Sequence, residues 1–249
     1  VAVFLFFLYN EFMRKIKRPK ISEVVSIIAH QLKNPISIFK NYLEVLISEE
    51  LGPLNQKQKE YLSDILENVK RMDETANHLL DVYFIEEKKY KLKKEKFFLG
   101  KIVKEVIKDF SVWALAANCQ IVFKEEKDLP KVISDPFKIR QVIENLISNS
   151  IKYKNPGPQK IEISLKKKGN FVLFSCNDQG IGIPKSDFKK VFKKFYRSEK
   201  AMELDPTGSG LGLFINKAIV KLSKGKIWFK KNKGPGMTFY FTLPISNGK

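Results

Sequence analysis

The chain has 249 residues, enough for one sizeable domain plus a smaller helical unit, and its hydrophobic share of 43% excludes an intrinsically disordered polypeptide. A formal net charge of +19 raises nucleic acid or an anionic membrane as partners. The excess is scattered lysine, with arginine only at Arg14, Arg18, Arg71, Arg140 and Arg197, which argues against a nucleic-acid track.

The first nine residues, Val1-Ala2-Val3-Phe4-Leu5-Phe6-Phe7-Leu8-Tyr9, are apolar but too few to span a bilayer, which takes roughly 20. Arg14, Lys15, Lys17, Arg18 and Lys20 follow, so residues 1–20 read as the end of a transmembrane helix with its basic juxtamembrane segment. Residues 21–90 then carry two helical seams. Ile21, Val25, Ile28, Leu32, Ile36, Phe39, Leu43 and Leu46 recur in steps of three and four until Gly52-Pro53 breaks the pattern. Asn55 with Gln58 makes a capping-box signature, and Leu62, Ile65, Val69, Met72, Ala76, Leu79 and Tyr83 form the second seam. Two such helices joined by a short turn make an antiparallel hairpin, which is expected to pair with a second copy as a four-helix bundle.

A lysine-rich linker at 88–96 precedes a mixed region, 96–246. Its pattern predicts helices at 99–113, 135–153, 187–195 and 211–222, and strands at 121–124, 161–166, 171–177, 226–230 and 237–243. Asp135 followed by Pro136 marks a helix start. The class expected is α+β: a helical hairpin, then an α/β sandwich of a mixed sheet with helices on one face. Cys119 and Cys176 form no metal or redox spacing and read as buried free thiols, which fits a reducing compartment.

Chemistry-bearing residues fall in five places. His30 lies ~200° from both Ile28 and Leu32 on a helix, so it points away from the seam. Asn34 shares its face, and Pro35 deprives the Gln31 carbonyl of a helical partner. An exposed histidine beside a helix defect is a candidate nucleophile, whereas His78 lacks such company and reads as a solvated surface residue. Asn145 and Asn149, one turn apart, could complete a Mg²⁺ shell that keeps waters and bridges phosphates; Lys152 could meet a phosphate and Tyr153 a base. Asp178 ends a strand, where its carboxylate can accept the exocyclic N–H of adenine, with Gly180 and Gly182 letting backbone approach the ring. Gly208, Gly210 and Gly212 open a helix whose amides suit phosphate oxygens. Residues 185–207 between them read as a mobile lid.

The order of these motifs resembles the transmitter of a bacterial two-component sensor histidine kinase. Ala29-His30-Gln31-Leu32-Lys33-Asn34-Pro35 is similar to the phosphoacceptor box, and residues 145–153 to the asparagine box. Asp178-Gln179-Gly180-Ile181-Gly182-Ile183-Pro184 is similar to the first glycine box, and residues 192–197, with Phe195 and Arg197, to the phenylalanine box. Gly208-Ser209-Gly210-Leu211-Gly212-Leu213 is similar to the second glycine box. The resemblance implies a homodimer at the bacterial inner membrane with its catalytic part in the cytoplasm. It implies ATP and Mg²⁺ at the asparagine helix and the two glycine boxes, phosphorylation of His30, and transfer to an aspartate of a response regulator. It also implies that Asn34 orients water against the regulator's aspartyl phosphate, making the chain a phosphatase too. One position departs from the pattern: the residue after the histidine, commonly acidic, is Gln31, which can hold a tautomer but cannot take a proton. Two other readings stay open at this point, a docking module without turnover and a nucleic-acid-linked ATPase of the same sandwich superfamily.

Overall fold

The computed structural model describes residues 21–246, and of residues 21–26 only the backbone. The expected membrane-helix end at 1–20 lies outside the described residues. Two compact units divide at Tyr90 and Lys91.

The first unit is a helical hairpin. Helix α1 (Ile21–Ile47) runs through Pro35, and α2 (Gln56–Glu86) follows a short turn. The turn is built locally. Asn55 Oδ1 accepts from the Gln58 amide and Gln58 Oε1 accepts from the Asn55 amide, both at 2.9 Å, which is the reciprocal cap the sequence announces. Glu49 accepts from the Leu54 amide at 2.9 Å and pairs with Lys59, closing the loop from the other side.

The core between the helices is thin: Ile36, Leu43, Val69 and Ala76, with Leu62 and Leu66 packed at its edge. Ala29, Ile36 and Leu43, spaced by seven, face the sister helix. Several other residues of the expected seam do not. Phe39 is 58% exposed, and Ile28, Leu32, Leu46, Ile65 and Met72 are also open to solvent. The step of three and four therefore joined two adjacent stripes, one buried within the hairpin and one uncovered. His78, expected on the solvated surface, is half-buried and engaged in interactions.

The second unit is an α/β sandwich. Strands β1 (Glu95–Phe97) and β3 (Val132–Ser134) pair antiparallel as a small ribbon. The main sheet contains β2 (Cys119–Glu125), β4 (Gln159–Lys168), β5 (Phe171–Asn177), β6 (Ile227–Lys231) and β7 (Met237–Pro244), in the order β2-β4-β5-β7-β6. Only β2 and β4 run parallel, so the sheet is mixed, as expected. Helices α3 (Leu99–Ala116), α4 (Pro136–Lys152) and α6 (Gly212–Leu222) pack with it.

Strand alternation makes this core. Ile161, Ile163 and Leu165 of β4 and Val172, Phe174 and Cys176 of β5 are all buried at every second position, and Phe174 stacks on Phe241 of β7 with ring centroids 4.5 Å apart. Ile139, Val142, Ile143, Leu146 and Ile147 supply the buried face of α4. Each such side chain contributes about 1.5–3 kcal/mol relative to exposure, and this unit has many of them.

The predicted helix at 187–195 is not one. A 3₁₀ turn at Lys185–Asp187 leads into successive tight turns, with Lys190 and Lys193 amides donating to carbonyls three residues back. Phe188 and Phe192 pack on Phe229 of β6 at 5.1 and 5.9 Å, and Val191 is buried. The helical spacing served aromatic docking instead, and Lys189, Lys190, Lys193 and Lys194 would have crowded like charges on one helix. A one-and-a-half-turn helix α5 (Glu199–Leu204), and the short strands β1 and β3, had no periodicity long enough to read.

Candidate functional site

Asp178 follows the last residue of β5 and is 8% exposed. Its Oδ1 accepts from the Gly180 amide at 2.9 Å and from the Met237 amide at 3.1 Å. Both bonds fix one oxygen and leave Oδ2 to accept a ligand's N–H. Burial pushes the carboxyl above its ordinary value, ahead of those two amides, which pull it down. The loop behind it is tightly fitted. A Cβ on Gly180 would stand 2.3 Å from the Tyr153 carbonyl oxygen, so this loop approaches the end of α4 only because residue 180 is glycine. The Ile181 amide donates to that same carbonyl at 2.9 Å. Gly182 stands two residues further along the loop.

Helix α4 begins at an Asp135 cap, its Oδ1 accepting from the Lys138 amide at 3.1 Å. Asn145 and Asn149 share one face: Asn149 Nδ2 donates to Asn145 Oδ1 at 3.4 Å. The Nδ2 of Asn145 is buried without a partner in the protein. A Cβ on Gly212 would lie 2.5 Å from Asn145 Oδ1, so the start of α6 is pressed against this asparagine. The donors here are neutral amides, and the described residues hold no cluster of His, Cys, Asp and Glu able to bind a metal. Such a site fits Mg²⁺ only together with phosphate oxygens and water. Asn149 Oδ1 is free for that role, while Asn145 Oδ1 is already engaged by Asn149. Lys152, exposed at the end of α4, lies 3.7 Å from Asp205 across the lid, and Tyr153 caps the helix, half-buried.

The segment 185–207, expected to act as a lid, is organised by Arg197. Its Nη1 donates to the Gly208 carbonyl at 2.9 Å and the Pro206 carbonyl at 3.3 Å; its Nη2 donates to the carbonyls of Ala201, at 2.8 Å, and Asp205. Both terminal nitrogens of the guanidinium are thus bound to the loop's own backbone, while its Nε is buried without a partner in the protein. A Cβ on Gly208 would press on its Cζ at 3.0 Å. Phe195 is 61% exposed and holds a left-handed backbone, φ +62°. Gly210, φ +67°, passes within 2.8 Å of the Phe195 carbonyl carbon, measured from where its Cβ would be. Leu211 is buried and anchors the α6 start in the core. Burial alone would raise the Asp205 carboxyl; hydrogen bonds from Thr207 and the charges of Lys152 and Arg197 outweigh it and hold the group below its usual value.

On the hairpin, His30, Gln31 and Asn34 are all exposed on α1, with Ala29 beside them fully buried. The geometry expected of His30, outward from the interhelical face, is what the helix provides.

Two residues that fasten the loop around Asp178 escaped sequence reasoning. Asn155 Nδ2 donates to the carbonyls of Gln179, at 2.7 Å, and Gly180, at 3.0 Å. Asn232 Nδ2 donates to Asn177 Oδ1 at 2.9 Å and to the Asp178 carbonyl at 2.8 Å, while its Oδ1 accepts from Thr238 at 2.7 Å. Together they fasten both sides of Asp178. Their only sequence signal was an asparagine in a glycine- and proline-rich turn, a position that usually serves the turn itself.

The family profile described as histidine kinase-, DNA gyrase B- and HSP90-like ATPase matches residues 134–247, and that of the His kinase A (phospho-acceptor) domain matches residues 20–88. The sensor histidine kinase WalK of Bacillus subtilis is 33% identical over 223 residues, covering 89% of this chain and 36% of that protein. The sensor protein kinase WalK of Staphylococcus aureus is 30% identical over 233 residues, covering 89% and 53%. The chain therefore spans from about a third to about half of these two relatives. Among solved structures, the Acinetobacter baumannii histidine kinase AdeS superposes with a TM-score of 0.60 at 25% identity, covering 88% of this chain and 98% of that one. Full-length ShkA, solved with AMPPNP, reaches a TM-score of 0.71 over 91% of this chain and 46% of its own; at 20% identity that likeness concerns the fold.

Proposed function

We propose that this chain, which belongs to the sensor histidine kinases, transfers the γ-phosphoryl group of ATP to His30 and passes it on to an aspartate of a response regulator. Asp178 carries the reading: a buried carboxylate with one oxygen fixed by two amides presents the other to an adenine amino group. Guanine has a carbonyl at that place and would meet it as a second acceptor. Amides at the start of α6 and Lys152 face the phosphates in this scheme, and Mg²⁺, held by Asn149 with water and by Asn145 once its oxygen is released from Asn149, would neutralise them.

The imidazole lone pair of His30 attacks the γ-phosphorus in line. The N–P bond forms as the bond to the β-phosphate oxygen breaks, ADP leaves, and the imidazole proton passes to solvent. Gln31 can accept a hydrogen bond from the other ring nitrogen and so hold the tautomer, but takes no proton. Catalysis then rests on positioning and charge neutralisation. Asn34, on the same helix face, is assigned to orient water against the regulator's aspartyl phosphate.

The wider arrangement belongs to the same proposal. Residues 21–90 form the dimerising phosphotransfer hairpin, and 96–246 form the catalytic domain on the cytoplasmic side of a bacterial inner membrane. The uncovered stripe of Ile28, Leu32 and Phe39 supports pairing with a second copy. Gln31 favours one other reading, a docking module without turnover. Incubation with labelled ATP separates the two. Acid-labile, base-stable label that vanishes in His30→Ala, with ATP affinity unchanged, is the result expected. Label that survives in His30→Ala overturns the assignment, and no label in the wild type favours the docking module.

A further inference from the structure

The main sheet has a second face. Strand register places Ile163, Phe174 and Phe241 on the helix-packed side, and the alternate positions on the other. That outer face carries Lys124, Lys160, Lys166, Lys168 and Lys230, all exposed, against a single acid, Glu162. Five to one is far from the chain-wide balance of 46 basic to 27 acidic residues. Toward one edge, Trp228 of β6 and Tyr240 of β7 stack with ring centroids 5.3 Å apart and planes 10° from parallel, and Lys168 Nζ lies 5.9 Å from the Trp228 ring. Both rings are half-buried.

We propose that this face is a contact surface for anionic lipid headgroups. Three features select a lipid surface over other anions. The cations are all lysine, compact hydrated charges suited to a diffuse layer, with none of the arginine forks that grip individual phosphates. Trp228 has a ring and a cation against it, so it is no open platform for a nucleic-acid base. A tryptophan–tyrosine pair with Lys168 against it and Lys230 on the same strand has the amphipathic character of side chains that settle at headgroup depth. The surface is distinct from Asp178 and the lid, and the inference does not depend on the kinase reading.

The chain has two tryptophans, Trp113 and Trp228, so Trp113→Phe leaves Trp228 as the single reporter. The full chain with this change is mixed with vesicles of brominated phosphatidylcholine, with or without about 30% brominated phosphatidylglycerol. Quenching of Trp228 by the anionic vesicles, reversed by salt and at least about tenfold weaker on neutral vesicles, is expected. A further Lys166→Glu, Lys168→Glu, Lys230→Glu variant should lose the quenching while retaining affinity for an ATP analogue, which shows that it folds. Protein that sediments with anionic vesicles while Trp228 stays unquenched overturns the proposal, as does equal quenching on neutral vesicles. An emission change with single-stranded oligonucleotide but none with vesicles overturns it in favour of a nucleic acid. Should the triple variant fail to fold, Lys168→Gln and the two wild-type vesicle arms decide alone.

Discussion

The hairpin and the ATPase unit are stabilised in different ways. The ATPase unit buries its apolar residues against one another: a full sheet face, three helices and a stacked Phe174–Phe241 pair lie inside one chain. Among its described residues the hairpin buries only Ala29, Ile36, Leu43, Val69, Ala76 and Val82 as apolar side chains and leaves Ile28, Leu32, Phe39 and Met72 in solvent. A helix pair with so thin a core is marginal by itself. The difference teaches that one chain can combine a self-sufficient fold with a segment that leaves an apolar stripe uncovered, and that His30, the proposed phosphoacceptor, stands on the second kind.

The sharpest way to break this comparison is to remove the uncovered stripe. Leu32→Ser with Phe39→Ser should dissociate the hairpin, costing about 3 kcal/mol or more of assembly free energy from two large side chains that lose their burial. Sedimentation should show a monomer, with the ATPase unit's urea midpoint unmoved. A wild-type chain already monomeric at high concentration would end the comparison.

Next in size is Asp178→Asn, which should weaken ATP binding by about 1.5–3 kcal/mol, the range for a hydrogen bond to a charged group. Calorimetry with an ATP analogue measures it. The same change has the opposite sign for the fold. Burial raises the Asp178 carboxyl above its ordinary 3.8, so the stability it gives is present below the unfolded value and lost as pH rises through the folded one. At neutral pH the nucleotide-free Asp178→Asn protein should therefore melt above wild type, and the advantage should fade as pH falls toward about 4. A lower melting point at neutral pH would mean that the carboxylate is stabilising where it stands.

Asn34→Ala should keep His30 phosphorylation but slow dephosphorylation of the regulator tenfold or more, on the order of 1.4 kcal/mol in barrier. Equal decay of regulator phosphate with and without the side chain leaves Asn34 a merely structural role. Smallest is Asn55→Ala, which removes a capping box and should cost the hairpin about 1 kcal/mol while leaving the ATPase unit untouched. Separate thermal transitions, of which only the hairpin's moves, would sharpen the comparison; a shift in both would show the units to be coupled.

Legibility in the sequence followed the range of the forces involved. The Asn55 cap, the Asp135–Pro136 helix start and the alternating strands β4, β5 and β7 depend on neighbours a few residues apart, and local pattern exposes them. The glycines were legible as a class, but the role of each one was hidden. That Gly180 yields to the Tyr153 carbonyl and Gly212 to Asn145 depends on contacts more than 25 residues away in sequence. Residues 187–195 show the converse error, where a helical spacing was real but its purpose was to seat Phe188 and Phe192 on β6. Which stripe of the hairpin closes inward was hidden for a related reason. Apolar residues mark both stripes alike, and only the partner helix distinguishes Ala29 from Ile28.

Arg197 has a consequence for how this protein can change. Its two terminal nitrogens donate to main-chain oxygens, those of Ala201, Asp205, Pro206 and Gly208, and every residue type supplies one. Substitutions along Glu199–Leu204 can therefore accumulate without dissolving the loop that crosses the site. A single cation working on an unvarying scaffold leaves the segment's outer side chains free to drift toward new neighbours, so its surface can diversify while its path across the domain is inherited unchanged.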